Sequence, residues 1–263
     1  MRRLTAVLLL VTAVAGCKDD TVRVTFRPEV GAVYRYEVTV RSRSEVRIPG
    51  EGPQVHDEEI TLQSKQTVLE AGPDGVRVQV VLGDASGSVR TFAVLFDRVA
   101  QLESVESDDA IADAEAGVIG LSEIFPAAAG APPDRRLGPG ERWEIDDDVL
   151  LPGSVGSAQL TGDGRLVELA MHGHAKVARL ATSSRLQLST VRQTAEGDVV
   201  RLEGEQVTKQ RASHDLGDGA VWSASSRTSS TFALEISPPF GELREPVRGT
   251  LTVTVTSKTR RLE

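Results

Sequence analysis

Cysteine is nearly absent from this sequence, since Cys17 is the single one among 263 residues. No disulfide within the chain and no cluster of thiolate ligands around a metal can therefore form. A large domain without such links must be held together by its buried core. Aromatic residues are also few, at 4% of the chain. We therefore expect a core built from valine, leucine, isoleucine and alanine.

Long apolar runs and catalytic signatures are scarce as well. After residue 15, no apolar stretch approaches the roughly 18 residues of a transmembrane helix. The chain has no Gly-x-Ser-x-Gly elbow, no His-Glu-x-x-His zinc motif and no phosphate-binding loop. Acidic residues outnumber basic ones by 38 to 30, which argues against nucleic acid and anionic lipid headgroups as broad electrostatic partners. We predict a protein that is not an enzyme and binds no cofactor.

The N-terminal segment has the features of an export signal in their usual order. Arg2 and Arg3 precede an apolar run over residues 4–15, and the sequence Val-Ala-Gly leads directly to Cys17. About a dozen apolar residues are too few to span a membrane but suit a signal-peptide core. The segment resembles the lipobox of bacterial lipoproteins, whose pattern is Leu/Val-Ala/Ser-Gly/Ala-Cys. The resemblance implies that residues 1–16 are removed and that Cys17 carries the acyl chains of a membrane anchor.

Two other interpretations of this segment stay open. It is an ordinary secretory signal if Cys17 stands there by chance, and a buried core cysteine is the second alternative. The arginine pair is also found in twin-arginine signals, but the minimal charged region favours the general secretory route. With the anchor, residues 17–21 are a lipidated tether in the cell envelope. Lys18 replaces the aspartate that resembles an inner-membrane retention signal, which favours the outer membrane, facing the periplasm, in a two-membrane envelope.

Alternation of apolar and polar residues predicts strands through residues 22–106. In residues 33–46, Tyr34, Tyr36 and Val38 share one face, while charged and hydroxyl residues share the other. This period of two is typical of a strand with one buried and one solvent-exposed face. Glycine and proline separate the runs and predict tight turns between them.

The period changes over residues 107–125. Apolar residues recur there at spacings of three and four, which predicts an amphipathic helix; they are Ile111, Ala114, Val118, Leu121 and Phe125. Two glycines within the segment weaken it by about 1 kcal/mol each, and Pro126 ends it. Residues 107–140 are thus a helix and a proline-rich linker between two strand-rich halves, 22–106 and 141–263.

The second half is again predicted to be strands. We predict turns at three glycine-aspartate sites: Gly162-Asp-Gly164, Glu196-Gly-Asp198 and Gly217-Asp-Gly219. The fold class is therefore mainly β, with a minor α+β character. Residues 22–263 are one domain with a large antiparallel sheet, which in one form of this prediction curves into a half-barrel, and with one central helical segment.

Two resemblances extend this interpretation. Mid-chain, the sequence Pro132-Pro-Asp-Arg-Arg-Leu-Gly-Pro-Gly140-Glu-Arg-Trp143 resembles the linker "Pro-x-x-x-Val-x-x-Gly-Asp-x-Trp" of an uncharacterised family of bacterial secreted proteins and lipoproteins. That resemblance implies two β-rich halves and no particular activity. More remotely, the strand–helix–strand plan is similar to Lol-type lipoprotein carriers and related lipid-carrying lipoproteins. In those, a curved antiparallel sheet wraps an apolar cavity that helices plug.

Metal sites are weakly supported. On a regular strand, His172 and His174 would share one face with Glu168, a geometry that metals use. A third or fourth ligand is not evident nearby, so surface histidines are the favoured interpretation. Residues 146–148 are three consecutive aspartates without the spaced oxygen ligands of a calcium loop. A solvated acidic turn is the simpler interpretation, and we predict no bound metal.

The leading functional hypothesis is a non-catalytic, lipid-anchored envelope protein that holds a lipid or another hydrophobic ligand under the central helix. Its cavity would be lined by one set of apolar residues: Tyr34, Tyr36, Val38, Ile111, Val118, Leu121 and Phe125. The alternative is a scaffold lipoprotein with a filled core that meets an unknown protein partner. A hydrolase with a site assembled from distant residues is a weaker third hypothesis.

Overall fold

The computed structural model describes residues 21–106, 125, 130–150, 157–194, 197–238 and 245–262. Within these ranges the secondary structure is all β, and eleven antiparallel strands form one sheet. The strands are β1 (Val33–Arg47), β2 (Gln54–Gly72), β3 (Gly75–Asp84), β4 (Val89–Phe96), β5 (Leu102–Glu106), β6 (Arg142–Leu150), β7 (Ser157–His172), β8 (Ala175–Gln193), β9 (Val199–Asp215), β10 (Val221–Ser237) and β11 (Val247–Leu262). The predicted mainly β fold with a large antiparallel sheet is confirmed.

The first and last strands meet at the centre of the sheet. The strand order is β5-β4-β3-β2-β1-β11-β10-β9-β8-β7-β6. β1 pairs with β11 from Arg35 opposite Leu262 to Arg47 opposite Thr250. Each half of the chain is otherwise a meander in which neighbouring strands follow one another in sequence. Consequently β5 and β6, which are consecutive in the chain, are the two edges of the sheet.

The sheet is curved, because its two edges approach each other. The side chain of Gln101, next to β5, hydrogen-bonds the Asp147 carboxylate on β6. Between the edges, the Phe125 ring packs against Phe92 and Phe96 of β4, with ring centroids 6.5 and 5.5 Å apart. β5 and β6 do not pair with each other, so the sheet stays open. We call its buried face concave and its solvent face convex.

The predicted central helix falls almost entirely on residues 107–124, which lie outside the described residues. Phe125, the last residue of that prediction, is described; it lies in a bend and is buried in the core. No helix occurs among the described residues, so the minor helical part of the predicted fold is not seen in them.

The predicted alternation along β1 is confirmed. Tyr34, Tyr36 and Val38 are buried, and Val38 is fully so. The convex face carries exposed cross-strand ion pairs, each of which is worth about 0–1 kcal/mol: Arg41–Glu59 at 2.9 Å, Arg43–Asp57 at 3.2 Å and Arg260–Glu37 at 3.2 Å. The two faces of the sheet therefore differ sharply in chemistry.

The predicted turn at Gly162-Asp-Gly164 is wrong, because both glycines lie inside β7. A Cβ at Gly162 would overlap the carbonyl oxygen of Ser183 on β8. Gly204 on β9 is in the same situation, since its Cβ would overlap the carbonyl oxygen of Thr231 on β10. Glycines at such close approaches let neighbouring strands bend sharply, so these positions allow the sheet to curve.

The Pro-Gly-Glu-Arg-Trp motif fixes the start of β6 against β7. The Gly140 amide donates to the carbonyl of Leu166 at 2.6 Å, and the Leu166 amide donates to the carbonyl of Glu141 at 3.0 Å. The indole of Trp143 then lies over Gly164, where a Cβ would overlap the ring. Gly164, the second glycine of the mispredicted turn, therefore leaves the space that the Trp143 ring occupies.

Residues 21–28, which we call the strap, cross one end of the sheet. The strap pairs with the linker through Val22 and Leu137. The Phe26 amide donates to the Arg98 carbonyl at 2.7 Å, and the Arg27 amide donates to the Asp218 carbonyl at 2.8 Å. Val24 packs in the core cluster of β6–β8, whereas Phe26 packs against the cluster of β1–β4. The strap thus joins both halves of the core, although the sequence predicted a short strand there.

Replacing Gly204 by alanine tests the close approach of β9 and β10. The added Cβ has to push Thr231 away, and overpacking of this kind costs about 1–3 kcal/mol of unfolding free energy. The measurement is urea unfolding followed by circular dichroism. Gly52→Ala is the matched control, because a Cβ at Gly52 meets nothing within 4 Å. Equal stabilities of the two variants would contradict the proposed role of Gly204.

Candidate functional site

The concave face of β1–β4 is apolar and brings part of the predicted cavity lining together. Tyr34, Tyr36, Val38 and Phe125 belong to one buried cluster, together with valines of β3 and β4. The remaining predicted lining residues, Ile111, Val118 and Leu121, lie outside the described residues. Whether this cluster borders a ligand stays a prediction.

The concave face of β8–β11 is different, because small hydroxyl residues lie there among the apolar ones. The buried hydroxyl residues are Ser184 on β8, Thr228 and Ser230 on β10, and Ser257 and Thr259 on β11. Thr208 and Thr228 hydrogen-bond across strands at 3.0 Å, as do Ser226 and Ser257 at 2.9 Å. The sequence analysis missed this surface, because it followed the buried faces of strands through apolar residues and assigned Ser and Thr no role. Continuing the buried phase of the last strand past Val255 would have identified Ser257 and Thr259.

An aromatic cluster with one cation lies where β1, β10 and β11 meet. The Arg261 guanidinium lies 4.7 Å from the ring centroid of Tyr34 and 4.8 Å from that of Trp222. The Tyr34 hydroxyl donates to the Asp218 carboxylate at 2.8 Å. Burial, followed by this hydrogen bond, raises the pKa of Tyr34, and burial raises the pKa of Tyr36. Both phenols therefore stay neutral at physiological pH, and neither is poised as a base.

The two histidines considered as metal ligands are not on a regular strand. Gly173 between them has a φ of 58° and forms the turn from β7 to β8. The pairing of β7 is also irregular between Leu166 and Glu168. The His172 ring stacks on Trp222 with centroids 4.7 Å apart. Within the described part of the chain, no three His, Cys, Asp or Glu side chains come together as a metal would require.

The sequence analysis expected a turn at the three aspartates of residues 146–148. They are instead part of β6. Burial raises the pKa of Asp147, and the hydrogen bond from Gln101 opposes this rise. Burial likewise raises the pKa of Asp97, although that carboxylate accepts hydrogen bonds from the amides of Gln101 at 2.7 Å and Val99 at 2.9 Å. These carboxylates fasten the turn before β5 to the far edge of the sheet.

A cleft of about 390 Å³ lies beneath the strap. Its apolar lining includes Phe26 and Pro28 of the strap itself and Val76 of β3. Three arginines contribute to its walls: Arg23, Arg27 and Arg98. Asp134 lies among them and pairs with Arg23 at 3.4 Å. The sequence analysis missed this cleft, because Arg98 is far in sequence from Arg23 and Arg27 and only the path of the strap brings them together.

His214 is the one fully buried histidine among the described residues. Its Nδ1 lies 3.2 Å from the carbonyl oxygen of Gly219, so the neutral ring donates from that nitrogen. Burial lowers the pKa of His214, and the contact with Gly219 opposes this only in part. The ring occupies the end of β9, next to the loop that receives the strap.

The described residues define a large, open, all-β sheet with one polar and one buried face. None of them form a helix that is long and apolar enough to cross a membrane. No protein-family model matches the chain, and the comparison with curated proteins gives no match. Among solved structures, the chain is weakly similar to a loop L8 deletion mutant of OmpT, an outer membrane protein of Vibrio cholerae. The identity is 9%, the coverage is 89% of this chain and 100% of that chain, and the TM-score is 0.23, too low to carry any argument.

The buried histidine predicts a loss of stability in acid. Because the folded state depresses the pKa of His214, the unfolded state binds the extra proton as the pH falls through about 6.5. Unfolding free energy should therefore decline between pH 7.5 and pH 5, and His214→Gln should flatten this decline. Urea unfolding at several pH values measures the slope. His56→Gln, at an exposed position on β2, should keep the wild-type slope; an unchanged slope in His214→Gln would contradict the assignment.

Proposed function

We propose that this chain is a non-catalytic envelope protein, anchored through lipid on Cys17, whose concave face holds a lipid or another hydrophobic ligand. The single observation that carries the proposal is the contrast between the two faces of one open sheet. The convex face carries ion pairs such as Arg43–Asp57 and is exposed to solvent. The concave face is valine-rich on β1–β4, whereas on β8–β11 buried hydroxyl residues lie among leucines and Phe232.

The anchor rests on the sequence of the first 17 residues. Acyl chains contribute roughly 0.8 kcal/mol for each buried methylene, so two or three chains make a lasting attachment. The strap begins at residue 21, four residues after Cys17, and runs across one end of the sheet. With so short a tether, that end of the molecule faces the membrane.

The ligand part of the proposal rests on side-chain size. On β8–β11 the concave face carries buried serine and threonine beside larger residues such as Leu186, Phe232 and Leu234. Small residues leave room, and their hydroxyls hydrogen-bond one another across strands, as Thr208 does with Thr228. The face is therefore compatible with an apolar occupant that carries a few polar groups.

A second function, the scaffold with a filled core, is favoured by one observation on the other half. Val38, Val80 and Val94 are completely buried. Phe125 packs edge-on against Phe92 and Phe96 in the same region. If packing of this kind continues across β8–β11, the sheet has no room for a ligand, and the protein meets a partner through its surface.

Metabolic labelling with palmitate tests the anchor. The wild-type chain should incorporate label, and Cys17→Ala should incorporate none, because no other residue of the lipobox offers a thiol. Gel fluorography of the immunoprecipitated protein is the measurement. Label that persists in Cys17→Ala would end the lipoprotein proposal.

Native mass spectrometry of the protein, purified gently from its own envelope, separates the carrier from the scaffold. A carrier should retain a lipid mass that is lost on denaturation. Ser230→Leu, which adds volume to the concave face, should reduce the fraction carrying lipid. Ser229→Leu, on the neighbouring exposed position of β10, is the matched control and should not. A ligand-free mass for the wild type would support the filled scaffold instead.

A further inference from the structure

The cleft beneath the strap has a charge that departs from the rest of the protein. The whole chain has a net charge of −8, yet the lining of this cleft contains Arg23, Arg27 and Arg98 against the single carboxylate of Asp134. Its local charge is therefore positive. The overall charge argues against broad attraction to an anionic surface, but it does not prevent one confined cationic site.

The arginines are held in place by the fold. Arg98 follows β4, and its Nε donates to the carbonyl oxygen of Pro73 at 2.8 Å, which ties it to the turn between β2 and β3. The Arg27 backbone is fixed by its hydrogen bond to the Asp218 carbonyl. Arg23 is positioned by its ion pair with Asp134. The guanidinium groups of Arg98 and Arg23 are thus oriented, and the Arg27 side chain starts from a fixed backbone. Guanidinium groups suit phosphate, which they bind through paired hydrogen bonds.

The apolar lining of the cleft supplies a surface for the acyl-glycerol part of a lipid. Phe26 stands edge-on to Phe96, with centroids 5.8 Å apart, and Pro28 and Val76 extend the apolar lining. A free inorganic anion would gain nothing from this surface. An amphiphile with a phosphate and an attached acyl-glycerol would use both the arginines and the apolar lining.

We propose that this cleft binds the phosphate headgroup of an anionic phospholipid from the membrane in which the chain is anchored. The position of the strap supports this source, because residue 21 lies at most roughly 14 Å of extended chain from Cys17. The proposal rests on the anchor for the origin of the lipid. The binding chemistry of the cleft does not depend on the anchor.

The test is a titration of the full chain in nonionic detergent, read by native mass spectrometry. The probes are dioctanoyl phosphatidylglycerol, dioctanoyl phosphatidylcholine and inorganic phosphate. Phosphatidylglycerol should bind tightest, and Arg27→Gln and Arg98→Gln should each weaken it roughly tenfold, since each removes a charge-assisted hydrogen bond. Arg43→Gln removes the same charge from the convex face and is expected to bind as the wild type does.

Two results would overturn the proposal. Phosphate that binds as tightly as phosphatidylglycerol would make the cleft a site for the free anion. An unchanged affinity for phosphatidylglycerol in both Arg27→Gln and Arg98→Gln would show that the lipid binds outside the cleft. Cys17→Ala and Ser230→Leu should leave the titration unchanged, so failure of the anchor or of the concave ligand site is distinguishable from failure of this cleft.

Discussion

The pairing of β1 with β11 is the contact on which the rest of the sheet depends. Among the described strands it is the one ladder that joins the two halves, since every other ladder connects strands that are neighbours in sequence. Closing a loop of roughly 200 residues costs on the order of 5 kcal/mol of chain entropy. Without this central ladder, the concave face would be divided between two smaller sheets. We infer that the meanders form locally and that the central ladder joins them late, which is typical of slow, non-local β folds.

The chemistry of the two faces follows from this arrangement. The described residues form one sheet that buries its concave face on itself, so curvature and burial are the same requirement. Gly162 and Gly204 allow the strands to bend, while Gln101 and Asp147 draw the edges together. Valines fill the concave face on β1–β4, and hydroxyl residues lie among the apolar ones on β8–β11. Any ligand or partner on the concave face therefore meets a surface that the curvature of the sheet has already shaped.

The sequence was sufficient to predict the strands but not their neighbours. The alternation around Tyr34 identified β1 and its buried face correctly, because period two depends on the local chain alone. Glycine-aspartate pairs predict turns by the same local logic, which failed at Gly162. At Gly162 the close approach of β8, and not a turn, requires a residue without a side chain. The cleft was out of reach for the same reason, since Arg23 and Arg98 become neighbours only when the strap crosses the sheet.

The central position of β1 also determines how the molecule responds to tension. The strap enters β1 after a few residues, and β1 is hydrogen-bonded on both sides, to β2 and to β11. A pull on the N-terminus must therefore break two ladders at once, after first detaching the strap from Leu137 and Asp218. The weak edge strands, β5 and β6, lie far from either terminus along the chain and bear no such load. A chain anchored at Cys17, as proposed above, would transmit such a pull to a strand that is hydrogen-bonded on both sides.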